Sequence, residues 1–186
     1  MPATSFTETP GGVIWEATIS LDGYLAGPTG QMDWIFEHID PDNPGASGVV
    51  DRVGAVISGR NSFEVGQSDD RDVYDGAWQG RQFLLTNRPI SGEFPPELQI
   101  RSGDVRPVVD EALAIADGSA VGIIGGAVAR QCLDARLVTE VVVHIAPVFL
   151  GGGARFQGGT DRQNLVLIDS STHGGVQSLH YRVQHR

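Results

Sequence analysis

Short, nearly continuous apolar runs recur along the chain, at residues 13–21, 55–57, 83–85, 121–124 and 141–145, and most are followed closely by Gly, Ser, Thr or Pro. A half-exposed strand alternates apolar and polar side chains. A strand buried on both faces does not, so these runs predict a parallel sheet covered on both sides. Between them lie stretches with helical character, at 33–39, 60–65, 108–116 and 127–133. Residues 110–116 are rich in Ala and helix formers, and Gly118 supplies a stop. Strands alternating with helices predict βαβ units joined by right-handed crossovers. The last part of the chain breaks that rhythm. The apolar run at 165–168 and the mixed run at 176–183 flank His173-Gly174-Gly175, a hairpin signal, so the sheet is expected to finish antiparallel. The pattern predicts one mixed α/β domain over residues 12–186, preceded by a loose polar arm at 1–11.

A length of 186 residues suits one domain with a sizeable core, and 40% apolar with 19% charged residues is a globular composition. The formal net charge of −10 argues against nucleic-acid binding. An anionic cofactor needs a local basic or amide-lined site on such a chain. The single cysteine, Cys132, rules out an intrachain disulfide and fits a reducing compartment; within its apolar helix it reads as a small buried hydrophobe. No apolar run is long enough to span a membrane, and the expected location is the cytoplasm. The acidic segment 67–79 reads as a surface loop.

Chemistry is expected in the loops after the carboxyl ends of the strands, where open α/β sheets bind ligands. In Ser58-Gly59-Arg60-Asn61-Ser62, free N–H groups at a helix start and the Arg60 charge suit a phosphate; the alternative is a plain strand–helix turn with a solvent-facing Arg. Thr86-Asn87-Arg88-Pro89 offers a hydroxyl, an amide and a guanidinium to a ribose and its phosphate, or is simply a turn closed by Pro89. Gly125-Gly126-Ala127-Val128 ends one strand and opens a helix, a geometry that cradles a pyrophosphate on main-chain N–H groups or merely packs strand tightly to helix; it lacks the spacing of a Rossmann fingerprint. The three glycines at 151–153 favour a structural reading. His144 and His173 have no ligand-type neighbour at metal spacing, so no metal is expected.

Taken in order, Ser20-Leu21-Asp22-Gly23-Tyr24-Leu25-Ala26, Asp33-Trp34, Gly59-Arg60-Asn61-Ser62-Phe63-Glu64, Leu85-Thr86-Asn87-Arg88, Ile124-Gly125-Gly126-Ala127 and the run from His144 to Gly153 resemble the dihydrofolate-reductase-like superfamily. The branch they resemble most is the reductase domain of the bifunctional riboflavin biosynthesis deaminase/reductase. The resemblance spans about residues 13–183. It implies a three-layer α/β fold, with an eight-stranded, mostly parallel sheet ending in an antiparallel C-terminal strand, and NADPH lying across the carboxyl edge. It places Gly59, Arg60, Asn61 and Ser62 on the phosphates and Thr86, Asn87 and Arg88 on the 2′-phosphate region. Gly125, Gly126, Ala127 and Val128 fall on the pyrophosphate and nicotinamide ribose, Ala17 falls beside the nicotinamide, and the loop from Ser20 to Asp33 covers the site.

The implied activity is reduction of a small heterocyclic or sugar-derived substrate, resembling 5-amino-6-(5-phosphoribosylamino)uracil reductase. A dihydrofolate reductase and a non-catalytic nucleotide-binding dimeric module are the alternatives. Asp33 is the first candidate for proton supply or substrate anchoring and Glu37 the second; a helix-start charge and a solvated helix face are the competing readings. Folate reductases carry a pterin-binding carboxylate five residues after a Trp, and that position here is Ile39, with Glu37 and Asp40 off register. No zinc-deaminase domain accompanies the chain. A homodimer is expected, from the resemblance and from the apolar strands at 141–145 and 165–183.

Overall fold

A computed structural model describes residues 11–38, 48–68, 72–92 and 94–185. Its strands are β1 (Val13–Ser20), β2 (Tyr24–Ala26), β3 (Val53–Gly59), β4 (Arg81–Leu85), β5 (Leu98–Arg101), β6 (Ala120–Ile124), β7 (Glu140–Ala146), β8 (Ala154–Arg155), β9 (Asn164–His173) and β10 (Val176–Gln184). Its α-helices are α1 (Arg60–Ser68), α2 (Val105–Ala116) and α3 (Gly126–Asp134), with short 3-10 turns at Asp33–Glu37 and Val73–Gly76. The main sheet has eight strands in the order β5-β4-β3-β6-β1-β7-β10-β9, and β2 pairs with β8 in a separate ribbon.

From β5 across to β7 the strands run parallel. This follows from their apolar runs: β1 buries residues of both parities, Val13 and Trp15 on one face and Ile14 on the other. On the first face Trp15, Ile57, Phe83 and Ile123 pack against Val109 and Ala112 of α2 and Val128, Ala129 and Cys132 of α3. On the second face Ile14, Val56 and Val142 pack with Val49, Tyr74 and Trp78. Sheet and two coverings make the three layers. Cys132 is fully buried, and burial pushes its thiol up to about 12, as expected of an inert hydrophobe.

The structure moves several boundaries. Helix α2 starts at Val105, three residues before the apolar pattern suggested, because Pro107 lies in the first turn, where a missing N–H is harmless. Its start is capped by Asp104, whose carboxylate accepts from the Arg106 N–H at 2.7 Å. The stretch after Asp33 is a 3-10 turn ending at Glu37; Ile39 and Asp40 lie outside the described residues, as do the arm at 1–10 and part of the acidic segment. The antiparallel closure is present, with a twist of order: β10 slots between β7 and β9, so β9 forms the edge. The strands β2, β5 and β8 gave no apolar run; they have two to four residues each and are mostly half-exposed or exposed. No helix among the described residues is long and apolar enough to cross a membrane.

Candidate functional site

The parallel strands end side by side, at Ser20, Gly59, Leu85, Ile124 and Ala146. At the centre β3 and β6 are neighbours, and α1 and α3 begin immediately beyond them. Gly125 has φ 101°, and a Cβ there would lie 2.5 Å from Ser62 Oγ and 3.8 Å from the Gly59 nitrogen. A Cβ on Gly59 would lie 3.1 Å from Val128 Cγ2. The two helix starts therefore touch through glycines. Helix α3 has no side-chain cap, which leaves first-turn N–H groups for an external acceptor. The arrangement is a small, amide-lined, electropositive cradle. Of the glycine pair, only Gly125 has a positive φ; a Cβ on Gly126 would meet just Leu25 Cδ1, 2.7 Å away.

The structure brings the 86–89 loop against this cradle through Arg60. Its Nε pairs with Glu64 Oε1 at 2.6 Å, and its Nη1 donates to the carbonyls of Arg88 (3.2 Å) and Pro89 (3.0 Å). Arg60, its charge met by Glu64, thus braces the loop and does not stand as the free phosphate-facing cation the sequence suggested. The Thr86 hydroxyl closes the turn on the backbone of Arg88, and Asn87 Oδ1 accepts from the Gly103 N–H at 2.8 Å. Arg88 and Asn61 are exposed, and Ser62 is half-buried beside Gly125.

Asp33 and Glu37 are both exposed on their turn, while Trp34 and Ile35 face inward against Ala146, with Met32, Val148 and Leu150 around them. Ala17, half-buried on β1, packs with the α2/α3 side of the sheet. The loop after β7 is fastened to the end of β1. Asp22 accepts from the Ser20 hydroxyl (2.6 Å), the Leu150 N–H (3.1 Å) and the Gly151 N–H (2.8 Å). The Ser20 hydroxyl, followed by those N–H groups, outweighs partial burial and holds the Asp22 carboxyl below its ordinary value. Gly153 has φ 122°, and any side chain there would collide with the Ala26 carbonyl. The glycine triplet is therefore at least in part a packing requirement, as its sequence suggested.

Polar groups inside the apolar strands escaped the sequence reading. On the sheet face opposite α2 and α3, Glu16 Oε1 meets His144 Nε2 at 2.9 Å, and His144 Nδ1 meets Ser178 Oγ at 2.8 Å. Lower on the same face, Glu140 binds Arg52 at 2.9 Å and His180 at 2.7 Å. Burial pushes the Glu140 carboxyl up, but the hydrogen bonds and charges of His180 and Arg52 prevail and hold it at about 2. One signal was available: a charged residue in the middle of the run Val13-Ile14-Trp15-Glu16-Ala17 has to find a partner. Among the described residues no group of His, Cys, Asp and Glu is arranged to hold a metal ion.

This architecture is the dihydrofolate-reductase-like α/β fold, with its loop-built carboxyl edge. No protein-family model matches the chain. In sequence it is similar to two uncharacterized proteins of Bacillus subtilis (strain 168), YyaP (24% identical over 180 residues, 91% of this chain and 93% of that one) and YwjB (27% over 172 residues, 88% and 92%). In structure it is similar to a protein of Shewanella sp. PV-4 provisionally assigned to riboflavin biosynthesis, with TM-score 0.77 and 24% identity, covering 94% of this chain and 99% of that one. The diaminohydroxyphosphoribosylaminopyrimidine deaminase/5-amino-6-(5-phosphoribosylamino)uracil reductase of Thermotoga maritima matches with TM-score 0.67 and 16% identity; 93% of this chain corresponds to 56% of that protein. Dihydrofolate reductase from Enterococcus faecalis, complexed with NADP(H), matches with TM-score 0.58 and 13% identity over 95% of this chain and 98% of that one.

Proposed function

We propose that this chain is an NADPH-dependent reductase of a small heterocyclic or sugar-derived substrate. The observation that carries the reading is the meeting of the α1 and α3 starts: Gly125, with φ 101° and no side-chain cap on α3, and Gly59 bring the two helix starts together, which suits close approach of a pyrophosphate to main-chain N–H groups. The likeness to an NADP(H)-complexed reductase supports the same reading. Gly59, Asn61, Ser62 and the N–H groups of Gly126, Ala127 and Val128 would hold the phosphates. Thr86, Asn87 and Arg88 would take the adenosine end, with Arg60 bracing their loop, and Ala17 would lie beside the nicotinamide. NADPH, when bound, supplies the hydride. The chain's own task is to orient the reactants and keep water out, for which Trp34, Ile35 and Leu150 form an apolar wall.

Asp33, and after it Glu37, would reach the substrate from the rim to anchor it or supply a proton. The substrate class follows the Thermotoga relative, whose reductase acts on a ribosylaminopyrimidine. We further propose that residues 12–186 act as one domain and that two copies associate.

Cofactor titration tests the reading directly. Quenching of tryptophan fluorescence should show NADPH binding at least about tenfold more tightly than NADH, since a hydrogen bond to a charged group contributes about 1.5–3 kcal/mol. Arg88→Ala should remove that preference. Equal affinities for the two cofactors, or an unchanged NADPH affinity in Arg88→Ala, would reject the assignment of the 86–88 loop.

A further inference from the structure

Three polar side chains stand in one row across the sheet face opposite α2 and α3. Glu16 comes from β1, His144 from β7 and Ser178 from β10, and the strand register sets Ser178 directly across from His144. A carboxylate only accepts, so the His144 proton sits on Nε2, 2.9 Å from Glu16 Oε1. Nδ1 is then bare, and it accepts from the Ser178 hydroxyl at 2.8 Å. Tyr74 interacts with Glu16 from the same layer. Burial first, then the Glu16 charge, push its phenol well above its ordinary value, so it stays a neutral neighbour.

An acid that orients an imidazole, and an imidazole that takes a serine proton, together activate that serine as a nucleophile. Such a set is recognised by geometry and roles, not by order in the chain. Which ring nitrogen faces which partner does not alter the relay, because neutral imidazole has one donor and one acceptor.

The serine end of the row opens on a cavity of about 150 Å3. Val49 and Val142 give the cavity an apolar side, and Arg52, Asp169, Ser171 and His180 a polar one. A space of that size admits a molecule about as large as benzene. Asp169 disfavours an anion there. Among the described residues Arg52 pairs its side chain only with Glu140, through Nη2, so its other guanidinium N–H groups can meet an oxygen in the cavity. Ser178 is itself buried, which limits what reaches it to a small acyl group.

We propose that Ser178 is a nucleophile and that this cavity hydrolyses small uncharged esters, an activity separate from the hydride transfer proposed above. His144 is the general base, Arg52 receives the carbonyl oxygen, and Glu16 is a positioning residue. Ser178 Oγ adds to the ester carbonyl carbon as its proton passes to His144 Nδ1. The bond from that carbon to the alkoxy oxygen then breaks, and the His144 proton leaves with the alcohol. Water adds to the acyl-serine, its proton passes through His144 back to Ser178 Oγ, and the carboxylic acid departs. Nothing is oxidised or reduced.

The probe is p-nitrophenyl acetate. None of the 13 Lys+Arg residues is a lysine, so no lysine competes for the acetyl group. The full chain should release p-nitrophenolate, and acid quenching followed by mass spectrometry should find the acetyl group on Ser178. Ser178→Ala should lower kcat/KM about a hundredfold or more, while Ser171→Ala, in the same wall but without a base, should keep both rate and label. In Glu16→Gln the side-chain amide can donate to Nε2 and leave the proton on Nδ1. The His144 ring-nitrogen NMR shifts should then report the other tautomer, and the label should be lost at an unchanged melting temperature. The proposal is overturned if no p-nitrophenolate is released above buffer, if the acetyl group sits on another residue, or if Ser178→Ala or Glu16→Gln reacts like the unaltered chain. Should Ser178→Ala not fold, the position of the label on the unaltered chain decides alone. NADPH affinity in Ser178→Ala should match the unaltered chain, so this proposal and the reductase reading fail separately.

Discussion

Glu140 shows what a single buried charge contributes once its partners are in place. The folded carboxyl titrates at about 2 against an ordinary 4.5, because His180 and Arg52 grip it. A depressed carboxylate pKa stabilises the fold fully above the unfolded value, and that stability is lost as pH falls toward the folded one. The contribution is on the order of 3 kcal/mol. Melting temperature should therefore start to fall below about pH 4.5, and Glu140→Gln should lower it at pH 7 and flatten the acid limb. An unchanged acid limb in the variant would remove Glu140 from the account. Gly125 offers a second test at this scale. Its φ of 101° is strained for any side chain, so Gly125→Ala should cost on the order of 1–3 kcal/mol and weaken NADPH binding at least tenfold. Gly126→Ala should be milder, because its added methyl meets only the tip of Leu25. Wild-type NADPH affinity in Gly125→Ala would count against the cradle. The sequence pointed to the pair, but it could not say which glycine is constrained, because φ depends on how α3 leaves β6.

Among the elements, the loop after β7 depends on a remote tether. Its Leu150 and Gly151 amides are held by Asp22, 128 and 129 residues earlier. Asp22→Asn keeps the shape but weakens the acceptor. Amide exchange at Leu150 and Gly151 should speed up markedly in that variant while exchange within β1 and β7 stays slow. Since the Asp22 carboxyl is held below its ordinary 3.8, the tether should persist at neutral pH and loosen only in strong acid. Equal protection of the two amides in both proteins would refute the tether. Strands β1, β3, β4, β6 and β7 were visible as apolar runs, and α2 and α3 as helical stretches, because each is buried enough to show its period locally. The β2/β8 ribbon gave no such signal; it is held by the Phe156 N–H donating to the Gly23 carbonyl at 2.9 Å and by the close approach of Gly153 to Ala26 and Gly27, both between segments far apart in the chain.

At the scale of the molecule, the sheet ends in an unfinished edge. β9 is ten residues long, pairs among the described residues only with β10, and exposes three consecutive apolar side chains, Leu165 (45%), Val166 (44%) and Leu167 (52%). Long apolar edges invite pairing with another chain, and a two-fold symmetric pair closes both copies at once. Light scattering at micromolar concentration should therefore give a dimer mass, and Val166→Lys should shift it toward monomer without unfolding the protein. A monomer mass for the unaltered chain would end the dimer proposal.

The order of residues by itself determined the buried strands β1, β3, β4, β6 and β7 and the helices packed on them, and that the whole forms a mixed α/β domain, because burial on both faces leaves a signature within each run; the short strands β2, β5 and β8 left none. It also marked the carboxyl-edge loops, since glycines directly before helix starts are local features. The tertiary structure alone decided the rest. It inserted β10 between β7 and β9, turned Arg60 from a free cation into a brace for the 86–89 loop, and joined Glu16, His144 and Ser178 from three strands. Those outcomes depend on strand order and register, and period-two and period-3.6 patterns record which face of an element is buried without recording what it is buried against.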